Sequence, residues 1–333
     1  MSRLPQRALI ASAVATVLLV LVVALVPAGA APALDRAMTA LPRAKPLPLC
    51  AACGLFVVSL LCSAGAWRTT VSACGGWIEG DDAAAFYGLG SLANTLLPAR
   101  AGDGVRVALF SRTLPHEGRM WTMSGIMLAL SVARSGALLV LVLAAVVLGA
   151  LPVWPLAMLG ALLLLAIVLA VRVRRTRPQS RVAHLLDAFR ALGESPRTSA
   201  ALAGWAGASI AARVAAAAAA AAVFGARSPV LAAFVIVPAL DLGTLLPLTP
   251  ASLGMADGAV AVALHTAGTP VTAALTIGIG LHAAETVAGV GFGSWSLLYL
   301  GGTRAEWMRR LSAVLVAVAG LGGAAIVGAL IWT

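Results

Sequence analysis

The residues best suited to chemistry lie in one stretch, NTLLPARAGDGVR, at positions 94–106. It places Arg100 and Arg106 around a Pro/Gly turn within an otherwise apolar chain. A guanidinium keeps its charge at any accessible pH and forks onto phosphate oxygens. Charges at membrane depth are costly and are tolerated mainly where they line a cavity. The stretch therefore predicts a binding site for the phosphate of a lipid headgroup.

The same residues also have a structural interpretation, which stays open. Arg100 could pair with Asp103 and close the turn, or both arginines could extend to the membrane surface. Asp103 is expected to cap a helix that begins at Gly104. Asn94 and Asp103 are kept beside the arginines as candidate contacts of the substrate.

A second break, TLLPLTPASLGMAD, lies at positions 244–257. Thr249 and Ser252 can cap the helix that follows, and the N-terminus of a helix attracts an anion. Asp257 falls in the first turns of that helix, where it either contacts substrate or complements the helix dipole. Ser252 and Asp257 are therefore further candidate substrate contacts.

Other charged or titratable residues fall inside apolar segments, namely Arg134, Asp241, His282 and Glu285. His282 and Glu285 are three positions apart and so share one helical face. The group could relay protons, or its acidic members could pair with Arg134 and neutralise it. Pairing is the favoured interpretation for each residue taken singly.

Composition makes the chain a polytopic membrane protein, because 61% of its 333 residues are hydrophobic and 11% are charged. The longest polar stretch, 172–198, is too short for a soluble domain, so residues 1–333 form one membrane domain. The net charge of +11 suits topology signals and anionic lipids. Nucleic acid is not an expected partner, since no basic patch is interleaved with aromatic residues.

The apolar runs predict an all-α polytopic fold of about seven transmembrane helices plus two re-entrant helical hairpins. Residues 8–26 form either a signal peptide or, as preferred for so long a run, a first span with a cytoplasmic N-terminus. A second span covers 47–67 and ends at Arg68. The arginine-rich loop at 172–198 is expected to be cytoplasmic.

The two hairpins follow from helices that are too short to cross a bilayer. Residues 83–97 would make a helix of about 22 Å, against a hydrocarbon core of about 30 Å. A second short segment, 105–113, completes the first hairpin, and residues 252–266 belong to the second. The hairpins are entered from opposite sides, as in inverted-repeat transporters, so 47–171 and 199–332 are possible repeat halves.

The absent motifs favour a transporter over an enzyme and imply no cofactor. The sequence has no P-loop, HExxH, GxSxG or Cys/His zinc spacing. Cys50 and Cys53 are expected to pack as apolar residues. A metal held by Asp81 and Asp82, in a membrane component of lipid-linked glycosyl transfer, is the alternative function, although a solvated acidic loop is the more ordinary interpretation.

At both breaks the chain resembles the lysylphosphatidylglycerol synthase transmembrane family, a flippase-like domain found alone or fused to a lipid aminoacyltransferase. The family reads N-x-x-x-P-x-R-x-G-[DE]-x-x-R at the first break and P-G-G-L-G-x-x-E at the second. The first pattern is matched fully by Asn94, Pro98, Arg100, Gly102, Asp103 and Arg106. The second keeps Pro250, Leu253 and Gly254, with Ala251 and Ser252 in place of glycines and Asp257 in place of glutamate.

The resemblance extends to Trp67, Arg68 and Arg134 and so covers most of the chain. The acidic residues that usually flank this last arginine in the family are here Ala133 and Ala137, and a later arginine is replaced by His282.

The resemblance implies a stand-alone member that translocates a lipid and has no synthase activity. We therefore expect an inner-membrane protein that binds an anionic phospholipid or a polyprenyl phosphate and passes it across. A separately encoded glycosyltransferase or lipid synthase is a possible protein partner.

Overall fold

The computed structural model describes residues 46–96, 101–114, 119–153, 195–243 and 255–303, with short pieces at 156–157, 160–161 and 164. Within these ranges every regular element is an α-helix. In chain order they are α1 Pro46–Ala73, α2 Gly80–Leu96, α3 Ala101–Ser111, α4 Arg119–Val147, α5 Pro196–Val223, α6 Pro229–Gly243, α7 Met255–Thr266 and α8 Val271–Thr303. The all-helical class is thus confirmed for the described residues.

In the part of the chain that the structure describes, four helices are long and apolar enough to cross a membrane, namely α1, α4, α5 and α8. Their apolar spans contain between 26 and 31 residues. At about 1.5 Å per residue each exceeds a hydrocarbon core of about 30 Å. The chain is therefore a multi-pass membrane protein. The predicted span at 8–26, the apolar run at 311–332, residues 172–194 of the basic loop and most of 156–171 lie outside the described residues.

Helix α1 runs past the end expected for it at Arg68. The sequence has no helix breaker until Gly75, which ends the element with a φ of +80°. The polar residues between are compatible with a helix, because the hydroxyls of Thr69 and Thr70 donate back to carbonyls one turn earlier. Arg68 consequently lies within α1, on its exposed side.

The alanine-rich α5 packs closely against α1 through one face. Its first turn is capped by Ser195, whose side chain accepts a hydrogen bond from the amide of Thr198. Ser209 meets Ser59 of α1 at 2.9 Å between the two hydroxyl oxygens. Small side chains permit this approach. Ala203 and Ala211, on the opposite face of α5, are exposed.

The first hairpin consists of two short helices, α2 with 17 residues and α3 with 11. They approach most closely at Gly90 and Gly102, where a Cβ on Gly102 would collide with the carbonyl oxygen of Gly90. The prediction of two short helices in this stretch is confirmed. The turn itself, at 97–100, lies outside the described residues.

The expectation that Asp103 caps a helix beginning at Gly104 was wrong. Helix α3 begins at Ala101, so Asp103 lies inside its first turn. The amide of Gly102 already donates to the side-chain oxygen of Asn94, 2.7 Å away in the preceding helix. Because Asn94 supplies this cap, the Asp103 carboxylate is available for other partners.

The second hairpin pairs α6 with α7, which contain 15 and 12 residues. Ile236 and Val237 of α6 belong to one buried apolar cluster with Val260 and Leu264 of α7. The connecting residues 244–254 lie outside the described part, and Ser252 is among them. A second apolar cluster surrounds the first hairpin, where Trp67 stacks on Phe110 at 4.7 Å between ring centroids.

Replacing Gly102 by alanine should destabilise the protein although alanine is the better helix former. Intrinsic propensity favours Gly→Ala in a helix by about 1 kcal/mol. The collision with Gly90 should outweigh that gain, because overpacking costs about 1–3 kcal/mol. The measurement is the thermal unfolding midpoint of the detergent-solubilised protein.

The matched control is Gly104→Ala on the same helix, where an added Cβ meets nothing within 4 Å. Its midpoint should stay level or rise. Equal midpoints for the two variants would contradict the close approach of α2 and α3.

Candidate functional site

A cavity of about 510 Å³ lies within the helical bundle and gathers most of the predicted site residues. Its volume is in the range of ligand pockets. The first stretch contributes Asn94, Asp103 and Arg106, and the helices elsewhere contribute Arg134, Asp241, His282 and Glu285. Two groups that are distant in sequence thus line one site.

A cluster of ion pairs joins four helices on one wall of the cavity. A single carboxylate oxygen of Asp241, on α6, accepts from Arg134 of α4 at 2.6 Å and from Arg213 of α5 at 2.7 Å. Arg213 also lies 3.8 Å from the carboxylate of Glu285 on α8. Asp241 thus pairs with Arg134, as one of the two interpretations of the sequence had it, whereas the partner found for Glu285 is Arg213.

Arg213 was missed by the sequence reasoning, which concentrated on the two breaks and on Arg134. The available signal was a single arginine in the middle of an alanine-rich membrane helix, since an ionisable residue there is a functional candidate by default. Arg213 provides the second cation of the network beside Arg134. The acidic members, Asp241 and Glu285, come from α6 and α8.

The cluster has a buried centre and two accessible ends. The side chains of Arg213 and Asp241 are each 11% exposed, whereas those of Arg134 and Glu285 are 53% and 41% exposed. The four formal charges cancel, so the buried centre is neutral without a ligand. The side chains of Arg134 and Glu285 remain accessible to a ligand.

His282 lies one turn before Glu285 on α8 and lines the same cavity. The two side chains therefore face the same cavity. A role in proton transfer stays a prediction.

Arg106 joins the two helices of the first hairpin. Its guanidinium donates to Asp103 at 2.6 Å, to the hydroxyl of Ser91 at 2.8 Å and to the carbonyl of Tyr87 at 3.4 Å. It also lies 4.1 Å from the centroid of the Tyr87 ring. Asn94 completes the group by donating to Asp103 at 3.2 Å. For Arg106 this geometry favours the structural interpretation, in which the side chain shapes the cavity wall.

Five predicted residues remain, namely Arg100, Ser252, Asp257, Asp81 and Asp82. Arg100 and Ser252 are outside the described residues, and Asp257 is in the first turn of α7. Asp81 and Asp82 occupy the first turn of α2, away from the cavity, where negative charge complements the helix dipole. Within the described ranges, no three His, Cys, Asp or Glu side chains group together as metal ligands would.

Asp241→Asn should destabilise the protein strongly, because it leaves Arg213 and Arg134 without their shared carboxylate. Breaking a buried ion pair costs about 3–5 kcal/mol. Glu285→Gln is the matched control: its pair is longer and its side chain is 41% exposed, so we expect a loss of about 1 kcal/mol or less. The readout is the thermal unfolding midpoint in detergent, and equal losses would show that Asp241 is not the centre of the cluster.

Comparison with known proteins places the chain in a family. A search of curated proteins finds no match. The family profile described as lysylphosphatidylglycerol synthase TM region matches residues 8–293, which include every residue described above as lining the cavity. This chain belongs to the lysylphosphatidylglycerol synthase transmembrane family.

Proposed function

We propose that the protein binds the phosphate-bearing headgroup of an anionic or polyprenyl-linked lipid in this cavity and moves it across the bacterial inner membrane. The observation that carries the proposal is the position of Arg134. It lies almost midway along the 29-residue α4, with 53% of its side chain accessible.

An accessible arginine at this depth calls for a functional explanation. A charge near the bilayer centre costs several kcal/mol unless it is paired or faces a polar cavity. Arg134 meets both conditions, since it donates to Asp241 and lines the cavity. The accessible part of its guanidinium can donate to an incoming anion.

Phosphate is the anion that fits best. A guanidinium presents planar paired donors that match phosphate oxygens, and it stays charged in a low dielectric. Three hydroxyls also line the cavity, with that of Ser209 on α5 2.9 Å from Ser59 and 3.1 Å from Ser63 on α1. Those of Ser63 and Ser209 already donate to the carbonyl of Ser59, so the arginine supplies the main donors to a headgroup.

The sequence supplies further parts of the proposal. Arg100 is a second phosphate contact, and the helix start near Ser252 adds to the positive field. Rocking of the two halves would expose the cavity to each side in turn. The N-terminus is cytoplasmic, and a separately encoded glycosyltransferase or lipid synthase could deliver the lipid.

Arg134→Gln should slow lipid translocation at least tenfold, because it removes the accessible charge while Asp241 keeps its bond to Arg213. The assay reconstitutes the protein in vesicles and follows the loss of a fluorescent phospholipid from the outer leaflet. Arg119→Gln is the matched control, since Arg119 is an exposed arginine at the start of the same helix and does not line the cavity. Equal rates for the two variants would overturn the role of Arg134.

Arg100→Ala should also slow translocation if the first hairpin contributes a second phosphate contact. The same vesicle assay measures it. A wild-type rate would remove Arg100 from the site and leave the ion cluster as the binding element.

A further inference from the structure

We infer that the lipid headgroup enters the cavity sideways from the bilayer, through a mouth between α4 and α5. This inference rests on the proposed function and specifies the route by which the lipid headgroup reaches the cavity. It starts from the cavity-lining residues that are also exposed. In the described part of the chain these are Ser131, Arg134 and Ser135 on α4 and Trp205 on α5.

Among the described residues, the exposed lining residues therefore mark an opening that is flanked by α4 and α5. Lining residues on α1, α2, α3, α6 and α8 are buried or half-buried as whole residues, including Glu285, whose side chain is 41% accessible. Both flanking helices are long enough to span the membrane. An opening at mid-length between two such helices faces lipid and not bulk water.

The α4 side of the mouth continues into a lipid-facing surface. Ser131 and Ser135 are one turn apart, and Leu128 and Val132, at 45% and 46% exposure, lie beside them on the same helix. Ser131 is compatible with an apolar setting, because its hydroxyl donates to the carbonyl of Met127 at 2.8 Å. The surface thus passes from apolar side chains to hydroxyls and then to Arg134 at the cavity.

The α5 side is formed by Trp205, which is held against α1. Its indole nitrogen donates to the hydroxyl of Thr69 at 3.1 Å, and its ring packs on Gly65, where an added Cβ would come within 2.9 Å of the ring. The ring also lines a second cavity of about 540 Å³, which reaches Arg68 and the start of α2. Trp205 therefore bounds the mouth as a fixed aromatic wall.

The occupant we assign to the mouth is a lipid whose headgroup enters while its chains remain in the bilayer. Each CH₂ group kept in the hydrocarbon avoids a cost of about 0.8 kcal/mol for exposure to water. The accessible cation at the mouth suits an anionic headgroup, and the apolar residues beside it suit the chains. A soluble anion would need no such lateral opening.

A bulky group placed at the mouth after folding tests the route. Ser131→Cys is reconstituted in vesicles and treated with a bulky methanethiosulfonate, which caps the introduced thiol as a mixed disulfide and releases methanesulfinate. Phospholipid translocation is compared with the rate of the same sample before treatment. We expect a slowing of at least tenfold that a reducing agent reverses. Treated wild type shows what the native cysteines contribute, since Cys50 is exposed.

Val140→Cys is the matched control, because Val140 is 67% exposed on the same helix and does not line the cavity. Treatment should leave its rate unchanged. Equal slowing of the two variants, or none in Ser131→Cys, would overturn the lateral route while leaving the proposed function standing. Failure of wild type to translocate lipid at all would instead overturn the proposed function, and the route with it.

Discussion

Asp241 accepts hydrogen bonds from two arginines at one carboxylate oxygen, and the arrangement of the long helices depends on this shared contact. The carboxylate lies near the C-terminal end of α6, where the helix dipole opposes a negative charge. Arg134 and Arg213 offset that cost, and in turn each needs the carboxylate, because an unpaired charge at membrane depth is unfavourable. The position of α4, α5 and α6 around the cavity follows from this mutual requirement.

The first hairpin contains a second ionic group, Arg106 with Asp103, which affects the shape of the cavity and not its accessible charge. The donors of Arg106 are used by Asp103, Ser91 and Tyr87 within α2 and α3, so this group fixes the shape of a wall. The cluster around Asp241 instead keeps accessible ends at Arg134 and Glu285. One ionic group thus positions the hairpin, and the other gives the cavity its accessible charges.

The sequence was sufficient for the features that depend on local patterns. Apolar composition was sufficient to predict an all-helical membrane protein, and two short apolar segments predicted α2 and α3. Asp241 was among the residues named as possible partners of Arg134. The sequence was insufficient for contacts that form only when several helices pack together. That Asp241 is shared with Arg213, and that Asn94 caps α3 in place of Asp103, both depend on contacts between helices. Helix α1 was ended too early, because Arg68 was taken as a membrane boundary although nothing nearby breaks the helix.

The central claim is that the accessible end of this cluster holds a phosphate-bearing lipid. Native mass spectrometry of protein extracted gently from its membrane, comparing wild type with Arg134→Gln, tests it most directly. The account predicts that wild type carries a co-purifying phospholipid or polyprenyl phosphate and that the variant loses it. Equal retention of the same lipid by both proteins would contradict the account and make Arg134 a structural member of the cluster.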